Sequence, residues 1–185
     1  MNNTVFQNSI KEWIYNLNDE EIKALRLYTT DRYEDINEYL RESNDKQNLD
    51  EIIKKIDNAL LKYKLPHNIT VFRSEGRNKS VEEIKNVYKY VNSIEYLNYI
   101  STSLKKEFAV EFIEYLKYEN KYYSYILIEG KLEKGCNCGY IGDKISAMSS
   151  EYEMLIMRGK IFIINEITVI DNEIIEFEGR FIQKG

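Results

Sequence analysis

Residues 64–73 read Lys-Leu-Pro-His-Asn-Ile-Thr-Val-Phe-Arg, and they mark the point where the chain changes from predicted helix to predicted strand. Pro66 is the only proline of the sequence, and proline cannot continue a helix interior because it lacks an N–H and its ring clashes with the preceding turn. The run from Ile69 to Arg73 is β-branched and aromatic, which favours a strand. The segment therefore predicts a boundary between a helical part, residues 1–65, and a mostly stranded part with two helices, residues 66–185.

Upstream of this boundary, apolar residues recur at helical spacing in two stripes. The stripes consist of Ile10, Trp13, Ile14 and Leu17, and of Ile52, Ile53, Ile56 and Leu60. Asn18 followed by Glu21 is typical of a capping box, which predicts that a helix begins directly after Asn18.

Downstream of the boundary, patterns of alternating and β-branched residues predict mostly strands. The predicted strands cover residues 96–103, 123–132, 154–158, 160–170 and 173–182, and the predicted helices cover residues 80–91 and 104–118. Asp171-Asn172 predicts a tight hairpin turn, and three glycines between residues 135 and 142 predict a mobile loop. Because helices precede strands instead of alternating with them, the order indicates an α+β fold.

Length and charge narrow the possible classes of protein. A chain of 185 residues with 43% hydrophobic content can bury roughly 70% of its unfolded surface, so we expect one domain over residues 1–185. The net charge is -5, and no run of five Lys or Arg occurs, so neither broad nucleic-acid binding nor stable membrane insertion is expected. No stretch approaches eighteen apolar residues and Lys11 and Glu12 interrupt the N-terminal region, so we expect a soluble chain without a signal peptide.

The cysteine and histidine content argues against a structural metal. Cys136 and Cys138 form a Cys-x-Cys pair and His67 is the single histidine, whereas a structural zinc needs about four ligands. We therefore expect no metal, and two free thiols are consistent with a reducing compartment.

Two carboxylates, Glu151 and Glu153, open the apolar run of residues 154–156. In a regular strand, a period of two points both side chains the same way. Two like charges ~6 Å apart repel by roughly 3 kcal/mol at an effective dielectric constant of about 20. A solvated turn edge is the simpler interpretation of this pair when it is taken alone.

Three separated segments become informative together: Arg73 at the end of one strand, Ser101-Thr102-Ser103 at the end of another, and Glu151-x-Glu153 at the start of a third. This order resembles the arginine, Ser-Thr-Ser, Glu-x-Glu pattern of the bacterial mono-ADP-ribosyltransferase toxins and exoenzymes. The likeness runs from about residue 20 to the C-terminus. Further residues match positions that line the NAD pocket in actin-modifying members of that family, namely Tyr28, Tyr33, Asn37 and Asn98.

The resemblance implies a fold and a reaction. The fold would be N-terminal helices packed on two roughly perpendicular antiparallel sheets. NAD would be the co-substrate, with no metal, and the acceptor would be a target protein such as actin or another host GTPase or cytoskeletal protein. A soluble enzyme of this kind is expected to act in the cytosol of a target cell or after secretion by a route other than a signal peptide.

The resemblance also implies roles for individual residues. Arg73 would hold the NAD pyrophosphate through its planar fork of donors. Glu153 would stabilise the oxocarbenium charge that develops when the nicotinamide–ribose bond breaks, and Ser101 would contact NAD and orient Glu153. Taken alone, Arg73 is also consistent with a surface salt bridge, and Tyr28 and Tyr33 with helix core positions.

Glu151 is the residue that indicates the acceptor. In the family, relatives that modify asparagine carry glutamine at this position, whereas relatives that carry glutamate modify arginine. Together with Tyr140 and Met148, Glu151 would form the substrate-recognition loop. Two residues depart from the family pattern: Met148 stands where an aromatic residue is usual, and Glu129 stands where many members have a second NAD-contacting arginine.

Three functions therefore remain open at this point. The first is a mono-ADP-ribosyltransferase specific for arginine, either a free-standing toxin or effector or a catalytic domain of a longer protein. The second is an NAD glycohydrolase, which needs Glu153 but no protein acceptor. The third is an inactive homologue that serves as a binding module.

Overall fold

The computed structural model describes residues 3–30, 32–42, 49–142, 145 and 152–184. Six helices lie in these ranges: α1 Asn3–Tyr15, α2 Asp19–Tyr28, α3 Arg32–Glu42, α4 Asp50–Leu61, α5 Val81–Tyr88 and α6 Lys106–Glu119. The same ranges hold eight strands: β1 Ile69–Arg77, β2 Ser93–Tyr96, β3 Ile100–Ser103, β4 Ser124–Leu132, β5 Cys138–Tyr140, β6 Glu153–Ile156, β7 Lys160–Val169 and β8 Ile174–Gln183. Four helices precede the first strand, so the predicted α+β class is confirmed.

The chain forms two compact units, each made of three segments of the sequence. The first unit comprises Met1–Asn68, Tyr96–Ser101 and Glu133–Gly159, and the second comprises Ile69–Glu95, Thr102–Leu132 and Lys160–Gly185. The expectation that the chain folds as one domain stays a prediction.

The first unit contains the four N-terminal helices. Ile10 and Trp13 of α1 are buried, and the indole Nε1 of Trp13 donates a hydrogen bond to the carbonyl of Ala59 in α4 at 2.8 Å. The capping box at the start of α2 is confirmed, because Asn18 Oδ1 accepts from the Glu21 amide and Glu21 Oε2 accepts from the Asn18 amide, both at 2.9 Å. Side-chain packing and a capped start thus fix these helices.

The second unit is built on a mixed sheet with the strand order β2-β7-β8-β4-β1. β1 pairs antiparallel with β4 along its whole length, and β7 pairs antiparallel with β8. Helix α6 buries Ala109 and Ile113 against Tyr125 and Leu127 of β4. β4 and β8 run parallel, which differs from the fully antiparallel sheets that the resemblance implies. A parallel pair needs a long connection, and the forty-odd residues between these strands provide it.

The strand predicted over residues 96–103 is wrong as one element, because the structure has β2 and β3 with a break between them. At the break the side-chain amide of Asn98 donates to the carbonyl of Tyr99 at 2.7 Å, and the Tyr99 side chain is fully buried. A local side-chain hydrogen bond of this kind competes with the strand ladder, which explains the interruption.

The glycine-containing loop also differs from its prediction, because it contains strand β5. Cys138, Gly139 and Tyr140 pair antiparallel with β6 in the first unit, where the strand order is β3-β6-β5. Gly139 packs so closely on Trp13 that a Cβ would collide with the indole ring. The glycine at this position therefore serves close packing, whereas the sequence indicated mobility. A strand of three residues is too short for a periodic signal.

Among the helices in the described ranges, none combines the length and the apolar character that a membrane crossing requires.

Candidate active site

Ser101 and Glu153 form the centre of the candidate site in the first unit. Ser101 lies in β3, Glu153 is the first residue of β6, and the Ser101 hydroxyl donates to Glu153 Oε1 at 2.6 Å. Glu153 is 8% exposed, and its backbone carbonyl accepts a hydrogen bond from the Ile141 amide at 2.9 Å. A hydroxyl bond to a buried carboxylate is charge-assisted and strong, so it holds the carboxylate in one orientation. This is the hydrogen bond that the resemblance implies, found between residues 52 positions apart in the chain.

Strand β6 is a rigid support for Glu153. The three residues that follow Glu153 in the strand, Met154, Leu155 and Ile156, are fully buried. The strand also pairs with β5 over these three residues. A functional carboxylate held by a buried strand keeps its position better than one on a loop.

The residue before the strand has an unusual backbone. Tyr152 has a φ of 48°, in the left-handed region that non-glycine residues seldom adopt, and its side chain is 40% exposed. The regular alternation predicted from Glu151 through Glu153 therefore does not extend across Tyr152. Glu151 and Met148 lie outside the described residues, so their roles stay predictions. Non-glycine residues with a left-handed backbone, such as Tyr152, occur preferentially at functional sites.

Arg73 was expected at the end of a strand, but it lies in the middle of β1 because this strand continues to Arg77; there it belongs to a charged trio in the second unit. Arg73 Nε donates to Glu75 Oε1 at 2.7 Å, and Arg77 pairs with the other oxygen of the same carboxylate. Their spacing of two places all three side chains on one face of the strand. Glu75 is 8% exposed, so two guanidinium groups share one buried carboxylate and the trio carries a net positive charge. Glu75 was not among the residues predicted from the sequence, although an Arg-x-Glu-x-Arg spacing in a strand indicates three side chains on one face.

Tyr28 and Asn37 contact each other between α2 and α3. The Asn37 amide donates to the Tyr28 hydroxyl at 3.0 Å, and both side chains are buried. Tyr33 is 42% exposed, and its ring lies edge-on to that of Tyr28 at 6.4 Å. The structure thus brings these three residues together, and their contact with NAD stays a prediction.

The remaining predicted residues lie in several elements. Asn98 is buried in the break before β3, and Tyr140 lies in β5, so the expected recognition loop is partly a strand. Glu129 lies in β4 and pairs with Lys106 of α6 at 3.5 Å. The pKa of Lys106 is raised, mainly by its hydrogen bond with Glu176 and further by Glu129. The departure at Glu129 is therefore accompanied by a cation from a neighbouring helix.

Within the described ranges, no group of three or more His, Cys, Asp or Glu side chains is arranged to hold a metal ion.

Comparisons with known proteins give a consistent result. The family model described as ADP-ribosyltransferase exoenzyme matches residues 5–181. The NAD(+)–arginine ADP-ribosyltransferase EFV of Enterococcus faecalis is 29% identical over 173 residues, which cover 90% of this chain and 32% of that protein. The chain therefore spans about a third of the length of this curated relative.

Two solved structures share the fold over nearly the whole chain. An ADP-ribosyltransferase toxin from Paenibacillus larvae is 28% identical with a TM-score of 0.76, covering 98% of this chain and 94% of that one. An ADP-ribosyltransferase from Clostridium botulinum is 24% identical with a TM-score of 0.75 and the same coverage.

Proposed function

Because the chain belongs to the ADP-ribosyltransferase exoenzyme family, we propose that it moves ADP-ribose from NAD to an arginine side chain of a target protein. The observation that carries this proposal is the buried Glu153 carboxylate held by the Ser101 hydroxyl at 2.6 Å. A fixed, buried carboxylate on a rigid strand is what a reaction through a cationic sugar intermediate requires.

The chemistry assigned to Glu153 is electrostatic. When the bond between nicotinamide and ribose breaks, nicotinamide leaves with the bonding electrons and positive charge develops on the ribose. A carboxylate held in position before the reaction stabilises that charge without having to reorganise. An acceptor nitrogen then forms the new bond to the anomeric carbon and loses a proton.

The trio of Arg73, Glu75 and Arg77 supports binding of the NAD pyrophosphate. Arginine suits phosphate groups because its planar guanidinium presents several donors in a fixed fork. Glu75 holds the guanidinium of Arg73 by Nε at 2.7 Å, which restricts the rotamers of a long side chain before any ligand binds. Contacts of Tyr28, Tyr33, Asn37 and Asn98 with the remainder of NAD belong to the same proposal.

Arginine is the proposed acceptor on two grounds. Glu151 occupies the position where arginine-modifying members of the family carry glutamate. The Enterococcus faecalis relative is named as an NAD(+)–arginine ADP-ribosyltransferase. The target is proposed to be a host protein such as actin or another cytoskeletal protein or GTPase, and the place of action to be the cytosol of a target cell.

Incubation with tagged NAD and a eukaryotic lysate tests the proposed function. The expected result is a tag on an arginine of one or a few proteins, located by mass spectrometry. Nicotinamide release that is equal with and without lysate, and without a labelled protein, would indicate an NAD glycohydrolase. Absence of heat in calorimetry at millimolar NAD would show that the protein does not bind NAD, and it would favour the inactive homologue that serves as a binding module.

Replacing Ser101 with alanine is expected to lower kcat about 10- to 100-fold, because a hydrogen bond to a charged group contributes about 1.5–3 kcal/mol. The measurement is nicotinamide release at saturating NAD. Ser101→Thr, which keeps a hydroxyl, is expected to recover part of the rate.

Ser124→Ala is the matched control for this prediction, because the Ser124 hydroxyl also donates at 2.6 Å, but to the backbone carbonyl of Lys79 in the second unit. Its kcat is expected to stay at the wild-type value. An equal loss in the two alanine variants, or no loss in Ser101→Ala, would contradict the role of Ser101.

A further inference from the structure

A partly buried polar network in the first unit joins helix α4 to the residues that follow strand β6. Arg158 follows the strand, and its Nη2 donates to Asp57 Oδ2 at 2.7 Å while its Nε lies 3.1 Å from both carboxylate oxygens. The hydrogen bond with Asp57 raises the pKa of Arg158 above its ordinary value. Asp57 and Arg158 are 101 positions apart in the chain, so this ion pair closes a long loop that contains β6.

Tyr99 fixes the other side of the Asp57 carboxylate. Its hydroxyl donates to Asp57 Oδ1 at 2.6 Å and lies 3.1 Å from the carbonyl of Ile53. The Tyr99 side chain is fully buried, and burial raises the pKa of its hydroxyl far above the ordinary value. The hydroxyl is therefore a permanent donor, and Asp57 is held between one neutral donor and one cation.

The same tyrosine ring contacts Tyr28 of helix α2, a proposed NAD-binding residue. The rings of Tyr99 and Tyr28 meet edge to face, with centroids 5.5 Å apart and planes at 83°. Tyr28 in turn accepts the hydrogen bond from Asn37. Tyr99 also lies two residues before Ser101, so its backbone leads directly into the strand that orients Glu153.

Strand β6 has only four residues, and its two ends are held separately. The Ile141 amide binds the carbonyl of Glu153 at the start, and the amide of Met157 binds the carbonyl of Asn137 at 3.1 Å near the end. The Gly159 amide donates to the carbonyl of Tyr96 at 3.0 Å. Two side chains tie this end to helix α4: Arg158 pairs with Asp57, and the Asn137 amide donates to the carbonyls of Leu60 and Leu61 at 3.2 Å.

We infer that Asp57, held by the Tyr99 hydroxyl, is a positioning residue for Glu153 and acts through Arg158. This inference rests on the proposed function, in which Glu153 stabilises the oxocarbenium charge. Asp57 contacts neither NAD nor the acceptor in this role. It sets the position of the strand end, and a displacement of well under 1 Å is enough to weaken a fixed electrostatic contact.

Tyr99→Phe is the decisive variant, because it removes the hydroxyl and keeps the ring against Tyr28. We expect kcat for NAD hydrolysis to fall about tenfold, since a hydrogen bond to a charged group is lost, with KM for NAD unchanged. Arg158→Lys keeps the positive charge but loses the guanidinium donors that bind both oxygens of Asp57, and it is expected to lower kcat in the same way. Because the two changes act on one carboxylate, their combined effect is expected to be smaller than the product of the single effects.

Tyr63→Phe is the matched control. Tyr63 is a buried tyrosine of the same unit whose hydroxyl lies 3.0 Å from Ser9 Oγ, and burial raises its pKa to about 12. Loss of the Tyr63 hydroxyl is expected to lower the unfolding temperature about as much as loss of the Tyr99 hydroxyl does, and to leave kcat unchanged. A purely structural role for the Tyr99 hydroxyl would give the same kinetic result in the two variants.

Amide hydrogen exchange separates a failure of this inference from a failure of the proposed function. In Tyr99→Phe the amides of residues 154–157 are expected to exchange faster than in the wild type, whereas in Tyr63→Phe they are not. If the wild type turned over no NAD, the proposed function would fail and faster exchange would still identify Asp57 as the anchor of β6. Unchanged exchange in Tyr99→Phe, or an unchanged kcat in an active enzyme, would overturn the inference.

Discussion

Glu153→Gln is expected to lower ADP-ribosyl transfer and NAD hydrolysis together, by about 100- to 1,000-fold, the usual cost of removing one preorganised electrostatic contact to a transition state. The two reactions share the step in which nicotinamide leaves, and the carboxylate acts on the charge of that step. Glutamine has nearly the same shape and can still accept the hydrogen bond from Ser101. The substitution therefore removes the charge and leaves the packing of β6 in place.

Nicotinamide release and label transfer, measured on the same preparation, check this prediction. Binding of NAD by calorimetry is expected to change little, because the lost interaction is made mainly in the transition state. Glu133→Gln, at an exposed glutamate of the same unit, is the control and is expected to keep both activities. Wild-type rates of NAD hydrolysis in Glu153→Gln would show that Glu153 does not take part in the reaction and would contradict its proposed catalytic role.

The elements that the sequence predicted well are those whose signal is local. Helix α4 carries a stripe of isoleucine and leucine at helical spacing, and it begins and ends within two residues of that stripe. The capping box of Asn18 and Glu21 involves residues three positions apart, so its two hydrogen bonds could be predicted from the residue types alone. Strand β1 follows the single proline and is β-branched at its start, and its predicted beginning at Ile69 is the observed one.

The features that the sequence did not predict depend on contacts between distant segments. Strand β5 is three residues long, and it is a strand because it pairs with β6. Tyr99, at the break between β2 and β3, is buried, and its hydroxyl reaches Asp57, 42 positions earlier in the chain. No periodicity within either segment records such a contact, because tertiary packing overrides local preference there.

In the candidate site, too, features that depend on contacts between distant segments could not be predicted from local sequence signals. The hydrogen bond between Ser101 and Glu153 followed from the family resemblance and not from spacing, since 52 positions separate the two residues. Glu75 was missed because an acid between two arginines on a strand is read as surface charge, whereas the structure buries it. Residue types that can act in catalysis or binding could be recognised along the chain. Whether such a side chain is buried depends on the folded protein and could not be predicted from the sequence.

Glu151→Gln is expected to separate the two reactions that Glu153→Gln removes together. Arginine has a pKa above 12, so the acceptor arrives as a guanidinium that must be oriented and must lose a proton as the new bond forms. A carboxylate at position 151 can bind the cation and accept that proton, and general-base assistance of this kind contributes about 100- to 10,000-fold. Glutamine keeps the size and loses the charge. Transfer to arginine is therefore expected to fall by about 100-fold or more, while much of the NAD hydrolysis remains.

Transfer to a small guanidino acceptor and nicotinamide release without any acceptor provide the two measurements. The ratio of the two rates is the quantity that matters, because it cancels differences in the fraction of active enzyme. Tyr152→Phe serves as a neighbouring control that keeps the ring at the residue with a φ of 48°, and its ratio is expected to stay at the wild-type value. Wild-type transfer by Glu151→Gln, or an equal fall of both rates, would show that Glu151 does not select the acceptor. The first result would leave Glu153 as the only carboxylate that the transfer requires, whereas the second would place both carboxylates at the step in which nicotinamide leaves.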